Sequence, residues 1–265
     1  MPVQVYNGEM QRLGQPSNQA RFDPAIAFAE AHNLYMSLPG LVGFWPGNWM
    51  GSSSSSIGEM SDMGPRRLNL TRNGTPNVTA EATSLAVWQQ FNGSSDWYSH
   101  ADATSFDITA GLTVMGWFRL DAAASGAKAI ASKWAASNLT FRLIHTSGGV
   151  GRFSVSGNGT TEIYVETANT LALEQWFFLC GRYSPSAQLK IWDGSISNLR
   201  VAENTTSIPA SLFNGTALFG IGAQSGGSNF LDGAISRVAL CNMAVPDQFI
   251  DVLFQRTRQI YPGAI

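Results

Sequence analysis

From residue 85 to residue 241 the chain returns repeatedly to one pattern, a short apolar or alternating run broken by Gly, Asn, Asp or Ser. Such runs are too short for helices and fit the two-residue period of half-buried strands. They fall at 85–91, 112–120, 139–144, 151–155, 161–165, 176–183, 188–192, 217–221 and 234–240. Asn-Gly or Asp-Gly pairs begin at 73, 92, 158, 193, 214 and 232. These pairs accept the positive φ of tight hairpin turns, so they punctuate an antiparallel sheet. No long helical pattern separates the runs, which excludes β-α-β units and predicts two packed antiparallel sheets.

Two short helices flank the strands. The first is predicted over 24–38, with Asp23 as N-cap, Pro24 in the first turn and Pro39-Gly40 as the stop. The second is predicted over 246–257, where Phe249, Ile250, Leu253 and Phe254 recur at helical spacing and form a lid on the sandwich edge. Ahead of the first helix lies a polar arm whose apolar residues Val3, Val5, Tyr6, Leu13 and Phe22 are too sparse for a core. They are the expected docking anchors on a neighbouring surface. A first strand at 41–45 and a flexible serine run at 52–56 complete the outline.

Composition narrows the function. With 265 residues, 44% of them hydrophobic, the chain can bury one substantial core. Charged residues make up 13%, the net charge is −2 and the 16 basic residues are scattered, which argues against nucleic acid. No apolar run approaches the ~18 residues of a membrane span, so no membrane insertion is expected. The first residues also lack the basic-then-apolar profile of a secretory signal, and the chain reads as not exported by that route. Cys180 and Cys241 lack metal or redox spacing and read as buried free thiols. Eight Asn-x-Ser/Thr triplets are expected by chance in a chain this rich in Asn, Ser and Thr.

Several segments match a known pattern in order. Leu41 to Pro46 resembles the first strand of laminin G-like, pentraxin-related jelly rolls, and Phe91 to Tyr98 resembles their Phe-Asp-Gly-x-x-Asp-Tyr segment. Leu112 to Phe118, Ala129 to Lys133, Glu174 to Trp176, Ile191 to Gly194 and Asp232 to Ile235 resemble later strands and turns. The resemblance implies a laminin G-like, concanavalin A-like domain. The predicted fold is all-β, a two-sheet antiparallel jelly-roll sandwich with an N-terminal arm plus short helix and a short C-terminal helix. Residues 1–40 would be the docking arm and helix, and 41–265 the jelly-roll domain. Many relatives hold a structural calcium ion, for which Asp96 and Asp232 are the candidate ligands. Ser236 stands where relatives carry an acidic residue, which leaves too few oxygens, so no cofactor is expected.

Catalytic constellations are sparse. Glycosidases of this fold pair two carboxylates on one strand face. Glu162 and Glu166 have suitable spacing, but no acidic residue lies between them, so a solvent-facing polar edge is the preferred reading and an endo-glycosidase the weakest. None of His32, His100 and His145 neighbours a nucleophile elbow, and the Gly220-Ile221-Gly222 and Gly157-Asn158-Gly159 triplets lack the following helix of a nucleotide site. The chain is expected not to be an enzyme. Trp45, Trp88, Trp117 and Trp176 lie in strands and should fill the space between the sheets. Trp49, Trp97, Trp134 and Trp192 lie at strand ends or loops and are the candidate ligand-binding rings.

The reading preferred from sequence is a non-enzymatic virion component, a capsid decoration or tail protein located in the virion, with other virion proteins and its own copies, perhaps as a trimer, as partners. The alternative is a carbohydrate-binding module of a surface-adhesion system, extracellular or at the cell surface, with a glycan as partner.

Overall fold

A computed structural model describes residues 24–47, 58–80, 87–123, 125–195 and 197–261. In chain order the elements are α1 (Pro24–Met36), β1 (Leu41–Trp45), β2 (Glu59–Met60), β3 (Leu70–Asn73), β4 (Asn77–Ala80), β5 (Val87–Asn92), β6 (Trp97–His100), β7 (Leu112–Leu120) and β8 (Lys128–Ala135). They continue as β9 (Asn138–His145), β10 (Gly151–Val155), β11 (Ile163–Glu166), β12 (Trp176–Ser184), β13 (Gln188–Gly194), β14 (Leu199–Asn204), β15 (Phe219–Ile221), β16 (Asp232–Cys241) and α2 (Asp247–Thr257).

The strands form two sheets. The first runs β14-β13-β12-β7-β16-β5-β4, with β1 also pairing β16, and the second runs β11-β10-β9-β8-β15-β6-β3-β2. Every strand pairing is antiparallel. This is the two-sheet jelly-roll sandwich expected, flanked by its two short helices. β1 and β5 share one edge of β16: β5 pairs Asp232 to Ile235 and β1 pairs Val238 to Cys241. Between them Arg237 adopts φ 51°, and the register with β7 shifts at that bulge.

Two apolar clusters hold the layers together. The first lies between the sheets and includes Trp45, Phe91, Phe118, Phe141, Phe153 and Phe219. The second lies on the outer face of the first sheet, where Ala31, Tyr35 and Leu38 join Ile250, Leu253, Phe254 and Tyr261 over Trp88, Trp117, Trp176 and Phe178. The arrangement is therefore helix layer, sheet, sheet. It explains why β7 and β12 read as nearly unbroken apolar runs: both their faces are covered, and their residues are buried almost throughout.

This second cluster corrects one expectation. Trp45 does fill the space between sheets, its indole N–H donating to the Leu68 carbonyl at 2.9 Å. Trp88, Trp117 and Trp176 instead lie under the helices. Trp117 stacks on Tyr261 with ring centroids 4.3 Å apart and donates its N–H to the Thr257 hydroxyl at 3.0 Å. Gly194, expected only as a turn residue, ends β13 beneath Phe254, whose ring would lie 2.3 Å from a Cβ there. The close approach of α2 is what excludes a side chain.

Candidate functional site

With helices over the first sheet, the outer face of the second is the sandwich's other broad surface. Cross-strand register defines it. Glu59, Thr71, Ser99, Gly220, Ser132, Arg142, Ser154 and Tyr164 are successive partners across all eight strands, and none belongs to the core cluster. Gly220 apart, the row is polar because side chains alternate between faces, Phe141 and Leu143 pointing inward from β9 while Arg142 points out. Ser132 and Ser154 in it are buried, Ser132 donating to the Ala223 carbonyl, and exposure is found toward the two ends of the row.

The outer row ends in a linked patch on β9, β10 and β11. Arg142 donates to Glu162 Oε1 at 2.7 Å, and the Ser154 hydroxyl donates to the same oxygen at 2.5 Å. Arg152 grips Glu166 Oε1 through Nε at 2.9 Å and Nη2 at 2.7 Å. Its guanidinium carbon stands 4.2 Å from the Tyr164 ring centroid, while that of Arg142 stands 4.5 Å from the Trp134 ring centroid. Tyr164 remains 44% exposed, the one large aromatic side chain of the patch open to solvent.

The electrostatics of the patch oppose acid catalysis. Burial pushes Glu162 upward, but hydrogen bonds from Ser154 and Arg142 and the charges of Arg142 and Arg152 outweigh it and leave its pKa below the ordinary carboxylate value. A glycosidase needs one carboxylic acid raised and protonated. Here Glu162 and Glu166, the same-face pair noted in the sequence, are instead held by the guanidinium groups of Arg142 and Arg152.

The other candidate residues are dispersed. Trp97 starts β6, Trp134 lies within β8 and Trp192 within β13, at 8%, 6% and 3% exposure. Their positions at or near strand ends are as read from sequence, but the rings are buried rather than partly exposed. Trp97 and Trp134 lie on the second sheet, whereas Trp192 belongs to the helix-covered cluster of the first, beneath Arg182 at 5.0 Å. Trp49 and the arm residues Val3, Val5, Tyr6, Leu13 and Phe22 lie outside the described residues. Asp96 is buried with its Oδ1 accepting the Thr75 N–H at 2.7 Å, and Asp232 begins β16 opposite Asn92. Among the described residues no three acidic, His or Cys side chains gather in a metal-binding group.

Cys180 and Cys241 flank β7 from opposite sides, opposite Met115 and Thr113. Strands two apart are separated by roughly 10 Å, too far for a disulfide. Both are free thiols, and burial pushes Cys241 up to about 12 and Cys180 well above its usual range.

The Asn-Gly-rich triplets serve as turn chemistry. Asn92 Oδ1 accepts the N–H groups of Ser94, Ser95 and Asp96, and Asn158 Oδ1 accepts those of Thr160 and Thr161. Gly93 follows at φ 73°, a conformation a Cβ would strain. Such Asx turns favour Asn, Gly, Ser and Thr in that order of position.

This two-sheet antiparallel sandwich has the architecture of a concanavalin A-like, lectin-like jelly roll, and on its second sheet Glu162 and Glu166 are committed to guanidinium partners. Residues 92–251 match the sequence profile of the concanavalin A-like lectin/glucanases superfamily, and the chain belongs to that family. Among solved structures it is similar to the receptor binding domain of botulinum neurotoxin C/D mosaic serotype, with a TM-score of 0.61 and 9% identity over 82% of this chain and 51% of that one. The binding domain of Paraclostridial Mosquitocidal Protein 1 gives a TM-score of 0.61 and 10% identity over 81% of this chain and 52% of that one. The binding domain of botulinum neurotoxin DC in complex with SialylT gives a TM-score of 0.57 and 9% identity, covering 84% of this chain and 52% of that one. The chain thus spans about half the length of the toxin domains it matches. A search of curated proteins by sequence returns no match.

These likenesses overturn the expectation of a capsid-decoration or tail protein and of a virion location. The shared folds belong to toxin receptor-binding domains. The virion reading had rested on an arm outside the described residues and on features the sequence lacks, neither of which defines a binding surface.

Proposed function

We propose that the chain is a carbohydrate-binding or receptor-binding module acting outside the cell or at its surface, and that the open face of the second sheet is its binding surface. The observation that carries the reading is the patch of Arg142, Arg152, Glu162 and Glu166 around the exposed Tyr164 ring. Sugar recognition joins an apolar ring face to fixed hydrogen-bonding groups, and rigid strands hold such groups in place. Trp134, one of the four candidate rings, joins the patch by lying under the Arg142 guanidinium. Membership of the lectin-like family and the likeness to receptor-binding domains support the same reading.

All the groups come from one chain, so the reading needs neither a trimer nor the N-terminal arm. The folded unit on which it rests runs from α1 to α2, since Ala31 and Tyr35 of α1 lie in the helix-side core. The test is retention of the full chain on immobilised glycans with elution by free sugar. Arg142→Ala with Arg152→Ala should abolish retention, whereas Val201→Ala on the opposite sheet should not. Equal loss from both surfaces, or retention untouched by the double change, would remove the open face as the site.

A further inference from the structure

Glu162, Tyr164 and Glu166 alternate onto the outer face while Ile163 and Val165 pack inward on the core. At about 3.3 Å per residue, each carboxylate lies roughly 6–7 Å along the strand from the ring between them. Every contact that holds these carboxylates reaches one oxygen. Arg142, Ser154 and Arg152 all address Glu162 Oε1, and both Arg152 nitrogens address Glu166 Oε1. The Oε2 atoms carry none of these bonds. The edge thus presents an acceptor, a ring and an acceptor in line.

The charges of the patch balance. Arg142 faces Glu162 at 2.7 Å, and Arg152 faces Glu166 at 2.7 Å and Glu162 at 3.7 Å. Each guanidinium already has a carboxylate, so an incoming anion finds no uncommitted cation and meets two carboxylate oxygens instead. Hydroxyl donors meet the opposite situation, since a charged acceptor makes the stronger hydrogen bond.

We infer that the ligand is an uncharged, hydroxyl-rich glycan lying along β11, with a pyranose face stacked on Tyr164 and hydroxyls donating to Glu162 Oε2 and Glu166 Oε2. The inference rests on the glycan-binding reading above and adds the ligand's charge class and its direction on the sheet. The opposite edge of Tyr164 is tied down by Asn204, whose side-chain amide donates to the Tyr164 carbonyl at 2.8 Å, so the ring is presented from a fixed strand.

The full chain should be titrated with soluble neutral polysaccharides, a glucan, a galactan and a mannan, and with a sialylated glycoprotein before and after sialidase treatment. Binding to at least one neutral polysaccharide is expected, weakened at least tenfold by Tyr164→Ala with the far-UV spectrum and melting temperature unchanged. Glu162→Gln with Glu166→Gln should lower affinity for that neutral glycan and raise affinity for the sialylated glycoprotein, because two guanidinium groups lose their counter-charges. Binding confined to the sialylated glycoprotein and lost on sialidase treatment would overturn the uncharged class and leave glycan binding standing. Neutral-glycan binding that survives Tyr164→Ala would overturn the placement on β11. Failure to bind any of these glycans would remove the underlying reading as well.

Discussion

The guanidinium carbon of Arg152 stands 4.2 Å from the ring centroid of Tyr164, on a neighbouring strand of the open sheet. The contact does two things at once. It props the aromatic ring from one side and, through Nε and Nη2, holds Glu166 in place. Partly exposed ion pairs contribute only about 0–1 kcal/mol and an exposed cation–π contact about 0.5–1 kcal/mol. Function, more than stability, should therefore depend on Arg152.

Arg152→Lys is accordingly expected to shift the melting temperature little yet to lose most glycan retention. Lysine keeps the charge but has no planar fork to engage Glu166 through two nitrogens or to cover the Tyr164 ring. Melting curves and column retention measured on the same preparation check both halves. Full retention with Lys would mean that only the positive charge matters there.

Acid should loosen the fold through His145. Its side chain is buried and neither ring nitrogen makes a hydrogen bond of good geometry. Burial lowers its pKa from 6.5, and the Gly149 backbone offsets this only in part. The unfolded chain therefore takes up the proton first. The contribution to stability is complete above pH 6.5 and is lost as pH falls below it toward the folded-state value. His145→Phe, beside the Phe118 ring, should flatten the decline in melting temperature between about pH 7 and 5. A residue of slope should remain from His32, which burial and Arg237 also lower. Glu162 and Asp247 are held below their ordinary values by their cationic partners although burial opposes this, and their contribution is lost only at more acid pH. Identical slopes with and without His145 would rule it out as the source.

Much of the fold was legible because its signals are local. The runs 112–120 and 151–155 coincide with β7 and β10, and the predicted helices over 24–38 and 246–257 overlap α1 and α2. Strands with one polar face or little apolar content were not: β14, with Arg200, Glu203 and Asn204, has no alternation strong enough to read, and β2 has only two residues. The site was harder still. Trp192 reads in the sequence as a partly exposed ring at a strand end because Asp193-Gly194 follows it, whereas it is buried in the helix-side cluster with Arg182 and Lys190 over its ring. Tyr164 stands between Glu162 and Glu166 on the face read as solvent-facing, but only the strand pairing reveals that its ring meets the Arg152 guanidinium. Glu162 and Glu166 were visible as a same-face pair, but their guanidinium partners come from β9 and β10 and can be assigned only once register is known. Side-chain spacing is a property of sequence; the neighbour across the sheet is a property of topology.

Packing of α2 on β13 should be sensitive to a single methyl group. A Cβ on Gly194 would lie 2.3 Å from Cε2 and 2.7 Å from Cδ2 of Phe254, and that ring also meets Trp117 and Phe178. Overpacking of this kind costs typically about 1–3 kcal/mol. Gly194→Ala is expected to lower the melting temperature by several degrees, and Gly194→Ala with Phe254→Leu to recover part of the loss. The pairing is measured by comparing thermal unfolding of the two single variants and the double. Additive losses would show that Gly194 is set by something other than the approach of Phe254.

The largest stability effect is expected at Asp62, a residue that carried no motif in the sequence. Its carboxylate is buried and accepts three backbone N–H groups: Phe44 at 2.8 Å and Gly64 at 2.7 Å on Oδ1, and Leu68 at 2.7 Å on Oδ2. One side chain thus ties β1 to the segment that enters the second sheet, and it does so next to Trp45, whose indole N–H is satisfied by the Leu68 carbonyl. Asp62→Ala strands several buried donors, each costing about 1–3 kcal/mol. A total of about 3 kcal/mol or more should lower the melting temperature by roughly 6–12 °C at the usual ~2–4 °C per kcal/mol for a domain of this size. Asp62→Asn keeps one acceptor oxygen and should lose distinctly less. Thermal unfolding of the two variants decides it, with near-native melting of Asp62→Ala as the result that would show the three amides find water instead.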